Sequence, residues 1–136
     1  MDTLNRDKRS WNMSRIKAKN TSPERAVRTA LHKAGFRFRL HVKMLPGKPD
    51  IVLAKYRAVV MVHGCFWHRH KNCKYAYVPK TRVKFWNQKF SQNIKRDAEV
   101  LRALRALGWN VLTIWECEVA NTRIINRLIR SIGKRS

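Results

Sequence analysis

The spacing of hydrophobic positions divides the chain into helical and extended segments. Apolar side chains recur every three or four positions over residues 26–34, which predicts an amphipathic helix. The Thr-Ser-Pro-Glu sequence that begins at Thr21 is a typical helix start, and Gly35 ends the helix. Over residues 36–43, apolar side chains then alternate with Arg, His and Lys, which predicts a half-buried strand with a basic outer face.

Two nearly continuous apolar runs follow, at residues 50–54 and 58–63, and they predict central strands that are covered on both faces. The later pattern predicts a long helix, a fourth strand and a final helix, at residues 81–107, 109–115 and 121–132. The expected fold is therefore one α/β domain with element order α-β-β-β-α-β-α, in which helices flank a mixed sheet. Residues 1–20 are polar and basic, and we interpret them as an N-terminal arm that precedes a domain of residues 21–136.

The net charge of the chain indicates a polyanionic partner. The 136 residues include 31 Lys plus Arg but only 8 Asp plus Glu, so the formal net charge is +23. Such a charge opposes compaction unless a polyanion balances it, and nucleic acid is the leading candidate. The chain has no apolar stretch long enough to span a membrane, no secretory signal and no basic amphipathic helix with a wide apolar face. We expect a cytoplasmic protein with no membrane partner.

The three cysteines and several of the five histidines cluster around one loop. Cys65, His68, His70 and Cys73 lie within nine residues, and Cys117 follows the fourth predicted strand. Zinc prefers about four thiolate or imidazole ligands, so the pattern offers five candidates for four places. The alternative interpretation is buried free thiols and solvated histidines.

The few carboxylates are candidates for a second metal site. Asp50 begins a strand after a Pro-Gly-Lys-Pro turn, where an acid among basic loops can bind Mg²⁺. Glu24 and Asp97 can make supporting contacts. Each also has a simpler explanation: Asp50 as a turn cap, Glu24 as a helix-capping acid, and Asp97 as a partner of the adjacent Lys95 or Arg96.

Several short motifs together resemble one family, the very-short-patch mismatch repair endonucleases. The resemblance extends from about Asn12 to Cys117 and rests on these segments: Pro49-Asp50, His63-Gly64-Cys65-Phe66-Trp67-His68, Val78-Pro79, Thr81-Arg82, Phe85-Trp86, Arg96-Asp97, Leu107-Gly108-Trp109 and Trp115-Glu116-Cys117. It implies a restriction-endonuclease-like fold. It also implies an enzyme that nicks DNA 5′ to the thymine of a T:G mismatch, the lesion left when 5-methylcytosine deaminates.

The same resemblance implies a catalytic set. Asp50 would bind Mg²⁺ together with the backbone carbonyl of Val62, which stands where a hydroxyl residue is expected. His63 and His68 would serve the hydrolysis, with His68 as general base. The full set that the resemblance implies is Asp50, His63, His68, Glu24 and Asp97.

It further implies a structural zinc ion and a mismatch wedge. Phe66 and Trp67 would insert into the base stack beside the mismatch, and Met13 would enter from the other groove; packing in the core is the alternative for the two loop aromatics. The implied partner is mismatched double-stranded DNA, read by a monomer in the bacterial cytoplasm close to the nucleoid, with mismatch-repair proteins as further candidate partners. The zinc ligands that the resemblance implies are Cys65, His70, Cys73 and Cys117.

Two other functions fit parts of the pattern. A non-catalytic zinc protein that binds nucleic acid would explain the charge and the Cys/His loop, but not Asp50 with His63 and His68. A restriction-type endonuclease of different specificity would share the catalytic residues without the wedge.

Overall fold

The computed structural model describes residues 21–133, which form a mixed α/β arrangement. The proposed arm of residues 1–20, with Met13, lies outside the described residues. The described elements are, in chain order, α1 (Ser22–Lys33), β1 (Arg39–Leu40), β2 (Ile51–Leu53), β3 (Ala58–His63), α2 (Val83–Ala106), β4 (Asn110–Trp115) and α3 (Thr122–Gly133). Short 3₁₀ turns at Ala54–Tyr56 and Glu116–Glu118 follow β2 and β4.

The four strands form one sheet in the order β1-β2-β3-β4. The β1–β2 and β2–β3 pairs are antiparallel, whereas β3 and β4 run parallel, with α2 as the crossover between them. The parallel register extends from Ala58 opposite Asn110 to His63 opposite Trp115. Both strands therefore end at the same edge of the sheet, so the Cys/His loop after His63 lies beside Cys117.

Helices cover both faces of the central strands, as their continuous apolar runs predicted. On one face α1 and α3 pack against the sheet through fully or almost fully buried side chains: Val27, Leu31, Ile51, Leu53, Ala58, Val60, Ile114, Leu128 and Ile132. On the other face Leu104 of α2 packs against Val52 and Val59. Burial of this apolar area supplies most of the stability of such a small domain.

The first strand is much shorter than the alternating pattern predicted. Only Arg39–Leu40 pairs with β2, both residues are exposed, and Leu40 does not face the core. Phe36 and Phe38 do pack against the core, but from an irregular segment. The strand ends because His41 adopts a left-handed backbone with φ 48°, which is incompatible with an extended ladder.

The turn before β2 lies tightly against α2. Gly47 has φ +72°, and a Cβ built there would stand 2.4 Å from Val100 Cγ1. Only glycine accommodates both the backbone conformation and the close approach. This contact fixes the chain just before Asp50.

Within residues 21–133, no helix combines the length and apolar character required to cross a bilayer.

Candidate active site and metal centre

A cleft of about 900 Å³ opens between the start of α1, the ends of the central strands and the middle of α2. The five carboxylate and imidazole residues predicted as catalytic all line it: Glu24, Asp50, His63, His68 and Asp97. Arg25, Lys48, Lys89 and Arg96 also line the cleft. Carboxylates therefore lie inside a cleft whose rim carries Lys and Arg side chains. This combination suits a site that holds a nucleic-acid phosphate next to a cation.

Asp50 precedes β2 and faces into the cleft. Its Oδ2 accepts a hydrogen bond from the Val62 backbone N–H at 2.9 Å, which ties the side chain to β3. Burial, with a smaller contribution from the neighbouring Glu24 carboxylate, raises the pKa of Asp50 to about 6 against the lowering effect of the Val62 bond. Two carboxylates held this close favour a cation between or beside them.

Glu24 occupies the first turn of α1, where its backbone N–H donates to Thr21 Oγ1 at 3.4 Å. Its side chain turns inward and is only 4% exposed. His41 Nε2 donates to its two oxygens at 3.0 and 3.1 Å, and Arg28 lies at 3.5 Å. The carboxylate is thus part of the cleft as well as of a helix start.

The two predicted catalytic histidines lie face to face. The ring centroids of His63 and His68 are 3.9 Å apart and the planes are 4° from parallel. His68 Nδ1 donates to Asp97 Oδ2 at 2.6 Å, so a residue of α2 fixes the orientation of the His68 ring. Burial and the neighbouring His68 lower the pKa of His63 to about 4, which leaves its imidazole neutral at pH 7.

A separate cluster contains Cys65, His70, Cys73 and Cys117, and their ligand atoms all lie within 4.8 Å of one another. His70 Nδ1 is 3.6 Å from Cys65 Sγ and 3.4 Å from Cys117 Sγ. Tetrahedral zinc with ordinary bond lengths would separate such atoms by roughly 3.5–3.8 Å. Three sulfurs and one nitrogen at these spacings fit a closed structural zinc site.

Neighbouring groups hold this cluster in place. His70 stacks on Trp115 with centroids 4.2 Å apart, and the Cys65 N–H donates to Glu116 Oε1 at 2.8 Å. Burial raises the pKa of the Cys65 thiol to about 12, so a cation is needed to ionise it at neutral pH. A thiolate-binding metal would supply that cation.

Phe66 and Trp67, predicted to wedge into DNA, are 9% and 8% exposed. They pack with Trp86 and Phe90 of α2 in an aromatic cluster, in which Phe66 lies 5.3 Å from Phe90. This is the packed arrangement that the sequence offered as the alternative to a wedge. Trp67 nevertheless lines the same cleft as Asp50.

Arg69 organises the loop that carries these residues. Its guanidinium donates hydrogen bonds to the backbone carbonyls of Phe66, Ala76 and Tyr77, with nitrogen–oxygen distances of 2.8–3.2 Å. It also lies 3.8 Å from the centre of the Phe90 ring. The loop is therefore tied both to itself and to α2.

Three residues of the site were missed from sequence: His41, Glu116 and Arg69. The alternating pattern predicts His41 as an outward basic position of a strand. Glu116 lies next to a zinc-ligand candidate, and that adjacency was the one signal available. Arg69 has the same kind of signal, since it lies between His68 and His70. Nothing in the spacing singles out His41, because its role depends on a left-handed backbone at φ 48°.

The sequence model described as "DNA mismatch endonuclease Vsr" matches residues 1–75, more than half of the chain. The "DNA mismatch endonuclease Vsr" of Escherichia coli is 41% identical over 116 residues, covering 85% of this chain and 74% of that protein. The chain belongs to the Vsr endonuclease family.

Other Vsr-family relatives match over greater length. The "Type II nicking enzyme V.XorIIP" of Xanthomonas oryzae pv. oryzae is 44% identical over 131 residues, covering 96% of both chains. The "Type II nicking enzyme V.NmeAIP" of Neisseria meningitidis is 43% identical over 135 residues, with the same coverage. The chain is therefore a DNA endonuclease of the Vsr family, and the non-catalytic zinc protein considered from sequence is excluded.

Proposed function

We propose that this Vsr-family endonuclease nicks DNA 5′ to the thymine of a T:G mismatch in a Mg²⁺-dependent hydrolysis that initiates very short patch repair. The observation that carries the proposal is the meeting, in one basic-rimmed cleft, of Asp50 and Glu24 with the His63–His68–Asp97 group. The restriction-endonuclease-like fold belongs to the same proposal, supported by a mixed sheet that carries its acid at the start of a central strand.

The residues around Asp50 fit a magnesium ion. Carboxylate oxygens are the ligands that Mg²⁺ prefers, and the raised pKa of Asp50 indicates a buried negative charge that a cation would stabilise. Asp50 and the backbone carbonyl of Val62 would hold the ion, and Glu24 would bind its waters. When bound, the ion would neutralise phosphate charge and lower the pKa of a coordinated water.

His68 is the proposed general base. Asp97 holds its Nδ1–H, which leaves Nε2 as the nitrogen that accepts a proton from the attacking water. The water oxygen then bonds to phosphorus as one phosphorus–oxygen bond of the DNA backbone breaks, and the departing oxygen takes up a proton from solvent. His63, neutral at pH 7 and stacked on His68, would donate a hydrogen bond toward the phosphate.

The zinc proposed at Cys65, His70, Cys73 and Cys117 has a structural role. Its four ligands join the loop after β3 to the segment after β4, and His68 lies inside that loop. Binding of the metal would therefore stabilise the position of the general base as well as the fold.

Mismatch recognition is assigned to Phe66 and Trp67 in the loop, with Met13 from the N-terminal segment. Insertion would require both rings to leave their cluster with Trp86 and Phe90, at a cost of roughly 1.5–3 kcal/mol for each ring. A weakly paired T:G step is easier to unstack than a matched pair. Insertion of the two rings is therefore more favourable at the mismatch than at matched pairs.

The test is a strand-resolved nicking assay. Each strand of a duplex with one T:G mismatch carries a different 5′ label, and the products are sized with Mg²⁺ and with EDTA. We expect a single nick on the thymine strand that requires Mg²⁺ and disappears with Asp50→Ala. Cleavage of both strands, or unchanged nicking by Asp50→Ala, would overturn the assignment.

Two relatives are named Type II nicking enzymes, and this supports a second candidate, a restriction-type endonuclease of different specificity. That enzyme would share the cleft but would not need a mismatch. Comparing a T:G duplex with homoduplex DNA of identical sequence distinguishes the two, because only the second candidate nicks the homoduplex.

A further inference from the structure

His41 connects the two acids of the proposed cation site. Its backbone N–H donates to the Asp50 carbonyl at 3.1 Å, while its ring Nε2 lies 3.0 and 3.1 Å from the two oxygens of Glu24. Ligand atoms of Glu24, His41 and Asp50 all lie within 4.8 Å of one another. His41 thus contacts the backbone of Asp50 and the side chain of Glu24.

The backbone of His41 adopts a conformation that is uncommon for non-glycine residues. Its φ of 48° lies in the left-handed region, which costs a non-glycine residue on the order of 1 kcal/mol. The same conformation ends β1 and aims the ring toward α1 rather than along the strand. A strained backbone that places a polar side chain beside the active cleft is a pattern associated with function.

The His41 ring supplies a hydrogen-bond donor to the buried Glu24 carboxylate. A carboxylate that is 4% exposed needs hydrogen-bond donors, and His41 Nε2 lies closer to it than the Arg28 guanidinium at 3.5 Å. Because Nε2 lies almost equally far from both oxygens, it fixes the rotation of the carboxylate group. Arg28 approaches Oε2 within the same helix.

We propose that His41 is a positioning residue for the cation site: it orients the Glu24 carboxylate beside Asp50 and thereby sets the affinity of the cleft for Mg²⁺. The inference rests on the proposed function, because it takes the Asp50 cleft as the cation site. On this proposal His41 acts on the ion through Glu24.

The experiment compares His41→Leu, which keeps side-chain bulk but removes the donor, with His41→Gln, whose amide nitrogen can replace Nε2. His32→Leu is the matched control, since His32 is an exposed histidine on α1 whose ring contacts Phe38 outside the cleft. For each variant, two quantities are measured: the Mg²⁺ concentration that gives half-maximal nicking, and the rise in unfolding midpoint on addition of Mg²⁺.

We expect His41→Leu to raise the half-maximal Mg²⁺ concentration by roughly 10- to 100-fold, the usual effect of losing a residue that orients a metal ligand. His41→Gln should restore most of the affinity, and His32→Leu should match wild type. Affinity for mismatched DNA without Mg²⁺ should stay unchanged throughout. Equal Mg²⁺ dependence in His41→Leu and wild type, or no rescue by glutamine, would overturn the proposal.

A double-variant cycle tests whether His41 acts through Glu24. The Glu24→Gln variant and the Glu24→Gln, His41→Leu double variant should need similar Mg²⁺ concentrations, because the first change already removes the group that His41 orients. Additive effects would contradict the proposal. The Mg²⁺-induced rise in midpoint does not depend on the DNA substrate, so it separates failure of this inference from failure of the T:G assignment.

Discussion

Replacing Asp50 with asparagine should abolish nicking and yet stabilise the metal-free protein at neutral pH. Asparagine is nearly isosteric with aspartate, and its Oδ1 can keep the bond from the Val62 N–H. Its amide nitrogen can donate to Glu24, as a protonated Asp50 would. The variant therefore imitates the protonated active site at every pH.

The magnitude follows from the pKa of Asp50, which burial raises from 3.8 to about 6. A raised carboxyl pKa means that the contribution of Asp50 to stability is present below about pH 4 and is lost as the pH rises through 6. The shift corresponds to at most roughly 3 kcal/mol, and solvent at the open cleft reduces it, so we expect about 1–2 kcal/mol. The unfolding midpoint of Asp50→Asn should exceed that of wild type by roughly 5 °C at pH 8.

The assay is thermal unfolding of both proteins in EDTA at several pH values between 4 and 8, and again with Mg²⁺ at pH 8. The advantage of Asp50→Asn should shrink toward zero as the pH falls to 4. Added Mg²⁺ should reverse the order at pH 8, because only wild type gains stability from binding. An Asp50→Asn variant that is less stable at pH 8 in EDTA, or an advantage independent of pH, would refute the reasoning.

Three further predictions concern the turn at Gly47, the proposed zinc cluster and the contact between His68 and Asp97. Gly47→Ala should lower the unfolding midpoint more than Gly35→Ala, because both backbones have positive φ but only at position 47 would Cβ meet α2; equal losses would contradict the packing argument. Cys117→Ser should lose bound zinc and several degrees of midpoint by metal analysis and calorimetry, whereas stoichiometric zinc in that variant would reject the ligand set. His68→Ala should lower the nicking rate by ~10²–10⁴-fold, and adding Asp97→Ala should lower it little more; a large further loss in single-turnover assays would show that Asp97 acts independently.

The strands and helices were predictable where burial alone decides the structure. The runs at Ile51–Leu53 and Ala58–His63 are apolar at successive positions, and helices do cover both faces of these strands. The alternation over residues 36–43 misled because Phe36 and Phe38 reach the core without strand pairing, and because a positive φ at His41 ends the ladder. Such backbone conformations leave no trace in hydrophobic spacing.

The site was predictable to the extent that it rests on residue type. Cys65, Cys73 and Cys117 were recognisable as candidate metal ligands from chemistry alone, and parallel pairing of β3 and β4 brings them together. The contact of Asp97 with His68 joins positions 29 residues apart, and its 2.6 Å bond depends on how α2 crosses the sheet. The contact of His41 with Glu24 likewise follows from tertiary packing, so spacing along the chain could not give it.

The central claim is that the cleft cuts DNA at a mismatched thymine. The most direct measurement is the ratio of single-turnover nicking rates on two duplexes of identical sequence, one with a T:G pair and the other with C:G at that position. We expect rapid nicking 5′ to the mismatched thymine and little or no product from the matched duplex. Equal rates on the two duplexes would contradict it and would leave a Vsr-family nuclease that reads sequence alone.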